Sequence, residues 1–224
     1  MSRTALILGA SGLVGGHCLT QLLADPEYAH VTILVRKPFA PAHLKLTQRV
    51  INFDQINEAA DAFRVQDVFC CLGTTIKTAE SQEAFRRVDF TYPTESARLA
   101  QQQGATQFLL VSSLGANAKS RMFYSRTKGE VERAIAASDL TSVQIFRPSL
   151  LLGERTEVRP GEQWAEKISR AISFLLVGPL RKYRPIEARA VAAAMIAIAK
   201  QQPPGIHIYE SDRIAQIAAN AGSQ

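Results

Sequence analysis

Short apolar runs alternate with stretches of helical period along the whole chain. Ala5-Leu6-Ile7-Leu8 is a continuous apolar run that stops at Gly9. Val14, Cys18 and Leu22 then recur at i, i+4 and i+8, which predicts a helix from Leu13 to about Ala24, ended by Asp25-Pro26. Val31–Val35 predicts a second strand, its β-branched and nearly continuous apolar character suiting a parallel strand covered on both faces. Arg49–Phe53 predicts a third, ending in Asp54; after a polar helical stretch, Asp67–Leu72 predicts a fourth that stops at Gly73-Thr74-Thr75. A long helix over Gln82–Gln103, kinked near Pro93, would be closed by Gly104. Gln107–Val111 predicts a fifth strand running into Ser112-Ser113, Tyr124 to about Ser138 a helix, and Ser142–Phe146 a sixth strand. Residues 149–185 are irregular apart from a helical pattern around Trp164–Leu176. A helix over Ala188–Lys200, with Val191, Met195, Ile198 and Ala199 on one side, precedes a last strand at Ile206–Tyr209 and a short closing helix.

This alternation predicts one doubly wound α/β domain over residues 1–224, a Rossmann-type fold. Its parallel sheet would have about six to seven strands, with helices on both faces. The irregular segment 149–185 is read as a flap on the substrate side, over the carboxyl ends of the strands.

The turn between the first strand and the first helix carries the first chemical signal. Gly9, Gly12 and Gly15 are spaced G-x-x-G-x-x-G. Gly9 allows the tight turn, Gly12 removes a side chain that would block a pyrophosphate, and Gly15 lets helix and strand pack closely. Gly9, Ser11, Gly12, Leu13, Val14 and Gly15 therefore form the candidate phosphate cradle, at a helix N-terminus suited to an anion.

Tyr124 and Lys128, four apart, point the same way from successive turns of one helix. A free phenol has a pKa of about 10 and is a poor base near neutrality. A neighbouring ammonium and a positively charged nicotinamide would lower that value, so Tyr124 could exchange a proton with a carbonyl or alcohol oxygen. A serine at the end of the fifth strand would hold that oxygen. Ser113 is preferred to Ser112, and Ser112 is counted among the cofactor contacts.

Composition adds mostly exclusions. The 224 residues are 46% hydrophobic and 21% charged, as in a soluble globular protein, and no apolar run reaches the ~20 residues of a membrane helix. The first strand begins at once, leaving no room for a signal peptide, and Cys18, Cys70 and Cys71 suggest neither a disulfide framework nor a metal site. A cytoplasmic location is the expectation. His17, His30, His43 and His207 show no metal-ligand spacing. The net charge of +6 is dispersed in pairs such as Arg36-Lys37, Arg86-Arg87 and Arg181-Lys182, which argues against nucleic-acid binding and for an acidic small ligand. No heptad or apolar surface helix marks an oligomer interface, and oligomeric state stays open.

Together, Gly9–Gly15, Val111-Ser112-Ser113 and the Tyr124/Lys128 pair resemble the short-chain dehydrogenase/reductase superfamily. Four further stretches are Phe69–Thr75, Phe85–Asp89, Lys128–Glu132 and Phe146-Arg147-Pro148. They are similar to the Tat-interacting-protein group of its atypical members, and the likeness covers nearly the whole chain. The resemblance implies a nicotinamide dinucleotide cofactor and a small-molecule substrate, with Tyr124 as acid/base, Lys128 as its activator and Ser113 as substrate holder; Tyr124 and Lys128 are also counted among the cofactor contacts, the lysine at the ribose. It also implies that Asp54 accepts a hydrogen bond from the adenine amino group, with a helix N-cap as the other reading. Leu72, Gly73 and Thr74 would lie along the cofactor, and Arg147 and Pro148 beside the nicotinamide. Where extended members carry Asn in the helix after the fourth strand, this chain has Asp89, a change that bears on the proton relay. An acidic residue after the second strand would select NAD; Arg36-Lys37 stand there instead, so the expectation is NADP, with NAD as the lesser possibility. The function expected is that of an NADP-dependent oxidoreductase. The alternative is a dinucleotide-binding regulator or scaffold, a role also described for members of this group. Trp164, Phe174, Leu175 and Leu176 are candidates either for a substrate pocket or for core packing of the flap.

Overall fold

Seven strands line up in parallel: β1 (Arg3–Leu8), β2 (Tyr28–Val35), β3 (Leu46–Val50), β4 (Asp67–Cys70), β5 (Gln107–Val111), β6 (Ser142–Arg147) and β9 (Gly205–Glu210). Their order is β3-β2-β1-β4-β5-β6-β9 in the computed structural model, which describes residues 2–40, 42–153 and 176–222. A two-stranded parallel pair, β7 (Leu151–Leu152) with β8 (Ile186–Glu187), stands apart from the main sheet. The strand order reverses between β1 and β4, and in open α/β sheets ligands bind at the carboxyl ends of the strands beside such a reversal.

Helices cover both faces. On one side α1 (Leu13–Ala24), α6 (Ala188–Gln201) and α7 (Ser211–Ala221) pack on Ala5, Ile7, Val31, Ile33 and Phe69. On the other, a 3-10 helix (Phe53–Phe63), α4 (Tyr92–Gln102) and α5 (Phe123–Ala136) bury Leu6, Leu8, Val68, Phe108 and Leu110. Two short helices, α2 (Ile76–Ala79) and α3 (Gln82–Arg86), lie between β4 and α4. The expected stripes are buried, Val14, Cys18 and Leu22 on α1 and Val191, Met195, Ile198 and Ala199 on α6. Each such valine, leucine, isoleucine or methionine contributes about 1.5–3 kcal/mol on burial. No described helix is long and apolar enough to cross a membrane.

A buried polar knot ties the amino-terminal ends of four strands, at the edge opposite the glycine turn. Asp67 accepts from Arg3 Nε and Nη2 at 2.9 and 2.7 Å, from Tyr28 Oη at 2.7 Å and from Gln107 Nε2 at 2.6 Å. A buried carboxylate needs this many donors, and here they fix the mutual register of β1, β2, β4 and β5.

Several boundaries differ from the sequence expectation. β3 lies three residues earlier than Arg49–Phe53, because Asn52 leaves the strand to cap the 3-10 helix, accepting from the Asp54 N–H at 3.0 Å. β4 ends at Cys70, although the Cys71 N–H still donates to Leu8 O at 2.9 Å. The helix α2 was not expected; Thr75 starts it by accepting the Thr78 N–H. The kink at Pro93 is a widened turn. Pro93 has no N–H to offer the carbonyl of Asp89, and a π turn over Arg87–Thr91 joins α3 to α4, with the Tyr92 N–H donating to Arg87 O. The helical pattern around Trp164 lies outside the described residues, as do Phe174 and Leu175.

Candidate functional site

The site begins where β1 ends. Gly9 turns the chain at φ +80° and its carbonyl accepts the Gly12 N–H at 2.9 Å. A Cβ on Gly9 would stand 2.6 Å from the Cys71 carbonyl oxygen, and one on Gly15 would stand 2.1 Å from Gly9 O. Turn, helix and the exit of β4 are thus packed backbone to backbone, as the glycine spacing implied. Gly12 is the N-cap of α1; no side chain caps the helix, and its first turn holds no acidic residue. The unsatisfied first-turn N–H groups and the positive end of the helix dipole fit the pyrophosphate of a dinucleotide. Ser11 is exposed and Leu13 half-buried, whereas the Val14 side chain is buried in the core and can offer a ligand only its backbone.

Across the reversal point, the segment leaving β4 meets an ion pair. Lys128 Nζ stands 2.7 Å from Asp89 Oδ1, with side chains only 7% and 0% exposed. Asp89 Oδ2 accepts the Thr74 N–H at 2.8 Å. Gly73 lies over the pair: a Cβ there would be 3.5 Å from Asp89 Oδ1 and 3.7 Å from Lys128 Nζ. The π turn before Pro93 carries Asp89, so the widening of the helix is what aims this carboxylate at α5. Burial by itself pulls the Lys128 ammonium down, but the charge of Asp89 and then that of Tyr124 outweigh it, and the net shift is upward. Tyr124 lies one turn before Lys128, half-buried, with its ring packed on Phe85 at 5.7 Å between centroids. Tyrosine, lysine and the Gly73-Thr74 backbone therefore converge at one sheet edge.

The two serines separate. Ser112 Oγ donates to Glu132 Oε1 at 2.5 Å, and Arg147 grips the same carboxylate with Nε at 2.9 Å and Nη2 at 2.5 Å. Hydrogen bonding to Glu132 raises the Arg147 guanidinium further. Ser112 and Arg147, both expected beside the cofactor, thus direct their side-chain polar groups into an internal triad with Glu132, which sequence reasoning did not single out. Among the described residues, Ser113 Oγ makes only a 3.3 Å bond, to the neighbouring Leu114 carbonyl. Replacing Ser112 by alanine should lower stability by about 1.5–3 kcal/mol, the worth of a hydrogen bond to a charged group. Dinucleotide affinity should stay unchanged, and denaturant unfolding alongside a binding titration checks both.

The loop that bears Ser113 is clamped between the helix that bears Tyr124 and the exit of β6. The Asn117 N–H donates to Ser125 O at 2.9 Å, and the Leu114 N–H to Pro148 O at 2.9 Å. A Cβ at position 129 would lie 2.1 Å from Ala118 N, so only glycine lets the loop cross α5 there.

On the far side of the glycine turn, Arg36 and Lys37 follow β2, both exposed. Asp54 is not the helix cap, a role Asn52 takes; its Oδ1 accepts from Tyr92 Oη at 2.8 Å and its Oδ2 stands 3.8 Å from Arg87 Nη1. Burial, then Asp54, push the Tyr92 phenol up to about 12. Of the flap candidates only Leu176 is described; it is half-buried and its carbonyl accepts from Arg184 Nε. Among the described residues no group of His, Cys, Asp and Glu is placed to hold a metal ion. The three cysteines are free thiols, and burial pushes Cys70 up to about 12.

Residues 9–202 match the family described as NAD(P)H-binding. The rat Protein HTATIP2 is 39% identical over 170 residues, covering 74% of this chain and 70% of that protein. The mitochondrial Protein FMP52 of Lodderomyces elongisporus is 32% identical over 212 residues, covering 90% and 88%. Among solved structures, MoeE5 in complex with UDP-glucose and NAD superposes with a TM-score of 0.69 at 17% identity, over 98% of this chain and 82% of that one, a likeness of fold. One expectation is overturned here. FMP52 proteins of several fungi carry "mitochondrial" in their names, which conflicts with a purely cytoplasmic assignment.

Proposed function

We propose, because this chain belongs to the NAD(P)H-binding family, that it is an NADP-dependent oxidoreductase of the atypical short-chain dehydrogenase/reductase kind, acting on a carbonyl or alcohol substrate. The observation that carries the reading is Tyr124 one helical turn from a buried Lys128, whose ammonium is held by Asp89 under Gly73. The dinucleotide would be held by the Gly9–Gly15 turn and the N-terminus of α1, with Arg36 toward a 2′-phosphate. When bound, it would give the hydride to the carbonyl carbon in reduction and, in its oxidised form, take it from the alcohol carbon in oxidation, chemistry this chain's side chains cannot supply. Everything else falls to the protein. Tyr124 Oη gives a proton to the carbonyl oxygen in reduction, or takes it from the alcohol in oxidation. Lys128 stabilises the phenolate left behind, and Ser113 holds the substrate oxygen in line. Asp89 keeps the lysine charged and in place through the acid and base halves of the cycle.

The cofactor preference rests on charge: an exposed Arg-Lys pair stands at the end of β2 where an acid would select the free ribose. Fluorescence titration should show tighter NADPH than NADH binding, and Arg36→Ala should weaken NADPH roughly tenfold while leaving NADH unchanged. Equal affinities in the wild type would defeat the argument. NADPH consumption across a panel of carbonyl compounds tests the reaction, and binding without consumption would favour a dinucleotide-binding regulator.

A further inference from the structure

Arg87 is a second exposed cation that no step of the proposed reaction uses. Val35 and Val50 are register partners at the ends of β2 and β3, so Arg36 and the segment reaching Asp54 emerge side by side at the carboxyl edge of the sheet. The π turn brings Arg87 to the same place from a third direction, its side chain 49% exposed. Tyr92 Oη donates to the same Asp54 carboxylate that faces Arg87, and the charges of Arg87 and Arg36 both bear on its phenol. The acids that face Arg87 are Asp54 at 3.8 Å and Glu83 at 3.3 Å. Each Asp54 oxygen is engaged, one by Tyr92 and the other by Arg87, so the carboxylate is turned toward its own neighbours. Arg36, Lys37 and Arg87 against Asp54 and Glu83 leave an excess of positive charge, open to solvent, where the chain leaves the carboxyl ends of β2 and β3.

We propose that Arg87 is a second specificity-determining cation, leaving its 3.8 Å contact with Asp54 to close with Arg36 on the 2′-phosphate of an adenosine ligand. The proposal rests on the NADP reading above and adds a residue from a different element. A guanidinium that can swing from a 3.8 Å contact with a carboxylate to a phosphate gains charge-assisted, bidentate hydrogen bonds. A phosphate-free ribose offers it no such partner.

The test is binding of adenosine 2′,5′-bisphosphate and of 5′-AMP to wild type, Arg36→Ala, Arg87→Ala and Arg87→Lys, by calorimetry. Arg87→Ala should weaken the bisphosphate about tenfold and 5′-AMP hardly at all, and Arg87→Lys should fall between. Equal weakening of both ligands would show Arg87 acting on the adenine ring, and no weakening would show it idle; either overturns the proposal. A wild type without preference for the bisphosphate would bring down the NADP reading itself. A preference removed by Arg36→Ala but kept by Arg87→Ala brings down only the role of Arg87. Because Arg87 is half-exposed, its variants should unfold at the wild-type denaturant concentration, which separates loss of binding from loss of fold.

Discussion

Asp89→Ala should cost about 3–5 kcal/mol of stability and most of the turnover, because it leaves the Lys128 ammonium buried without its counter-charge. It also frees the Thr74 N–H, loosening the Gly73-Thr74 backbone that lies along the proposed cofactor. Urea unfolding gives the first effect and NADPH consumption the second. Asp89→Asn separates charge from shape: the amide can still accept from Thr74, but it no longer holds a cation. The pH dependence has a definite sign. Lys128 is raised above its ordinary value of 10.5, so the pair's contribution is complete below about pH 10.5 and is lost as pH climbs through the folded value. In Asp89→Asn the alkaline loss should begin at lower pH. A wild-type alkaline limb in that variant would show that Asp89 does not hold the charge.

Gly15→Ala should weaken dinucleotide binding roughly ten- to hundredfold and lower stability by about 1–3 kcal/mol. The added methyl would stand 2.1 Å from Gly9 O and 2.8 Å from Gly9 C, both backbone atoms with no rotamer to yield. Either α1 or the turn must shift, and the phosphate cradle is made of both. A calorimetric titration with NADPH checks this, and unchanged affinity would mean that the cradle lies elsewhere. Gly16→Ala is the control, since its Cβ would sit at an ordinary 3.5 Å from Ala10 O.

Much of the fold was legible because it depends on local periodicity. The α1 stripe and the apolar runs of β1 and β2 each point to a covered parallel sheet without reference to the rest of the chain. What escaped depends on partners distant in sequence. Ser112 and Arg147 look like site residues by position, and only their meeting with Glu132 shows where their polar groups go. Asp89 stands out in sequence only as a departure from relatives, and its pairing with Lys128 needs the π turn that Pro93 imposes. Arg87 reads in sequence as half of a dispersed basic pair, and only the same turn brings it to Asp54. β3 was displaced because Val50-Ile51-Asn52-Phe53 is apolar enough to pass for strand, and a single side chain, Asn52, ends it by capping the 3-10 helix.

The most direct test of the central claim compares wild type and Tyr124→Phe in NADPH-dependent reduction of a carbonyl panel. The predicted result is a loss in kcat of roughly 100- to 10,000-fold at unchanged NADPH affinity, because the ring and its packing on Phe85 survive while the proton does not. Turnover that persists at the wild-type rate in Tyr124→Phe would contradict it.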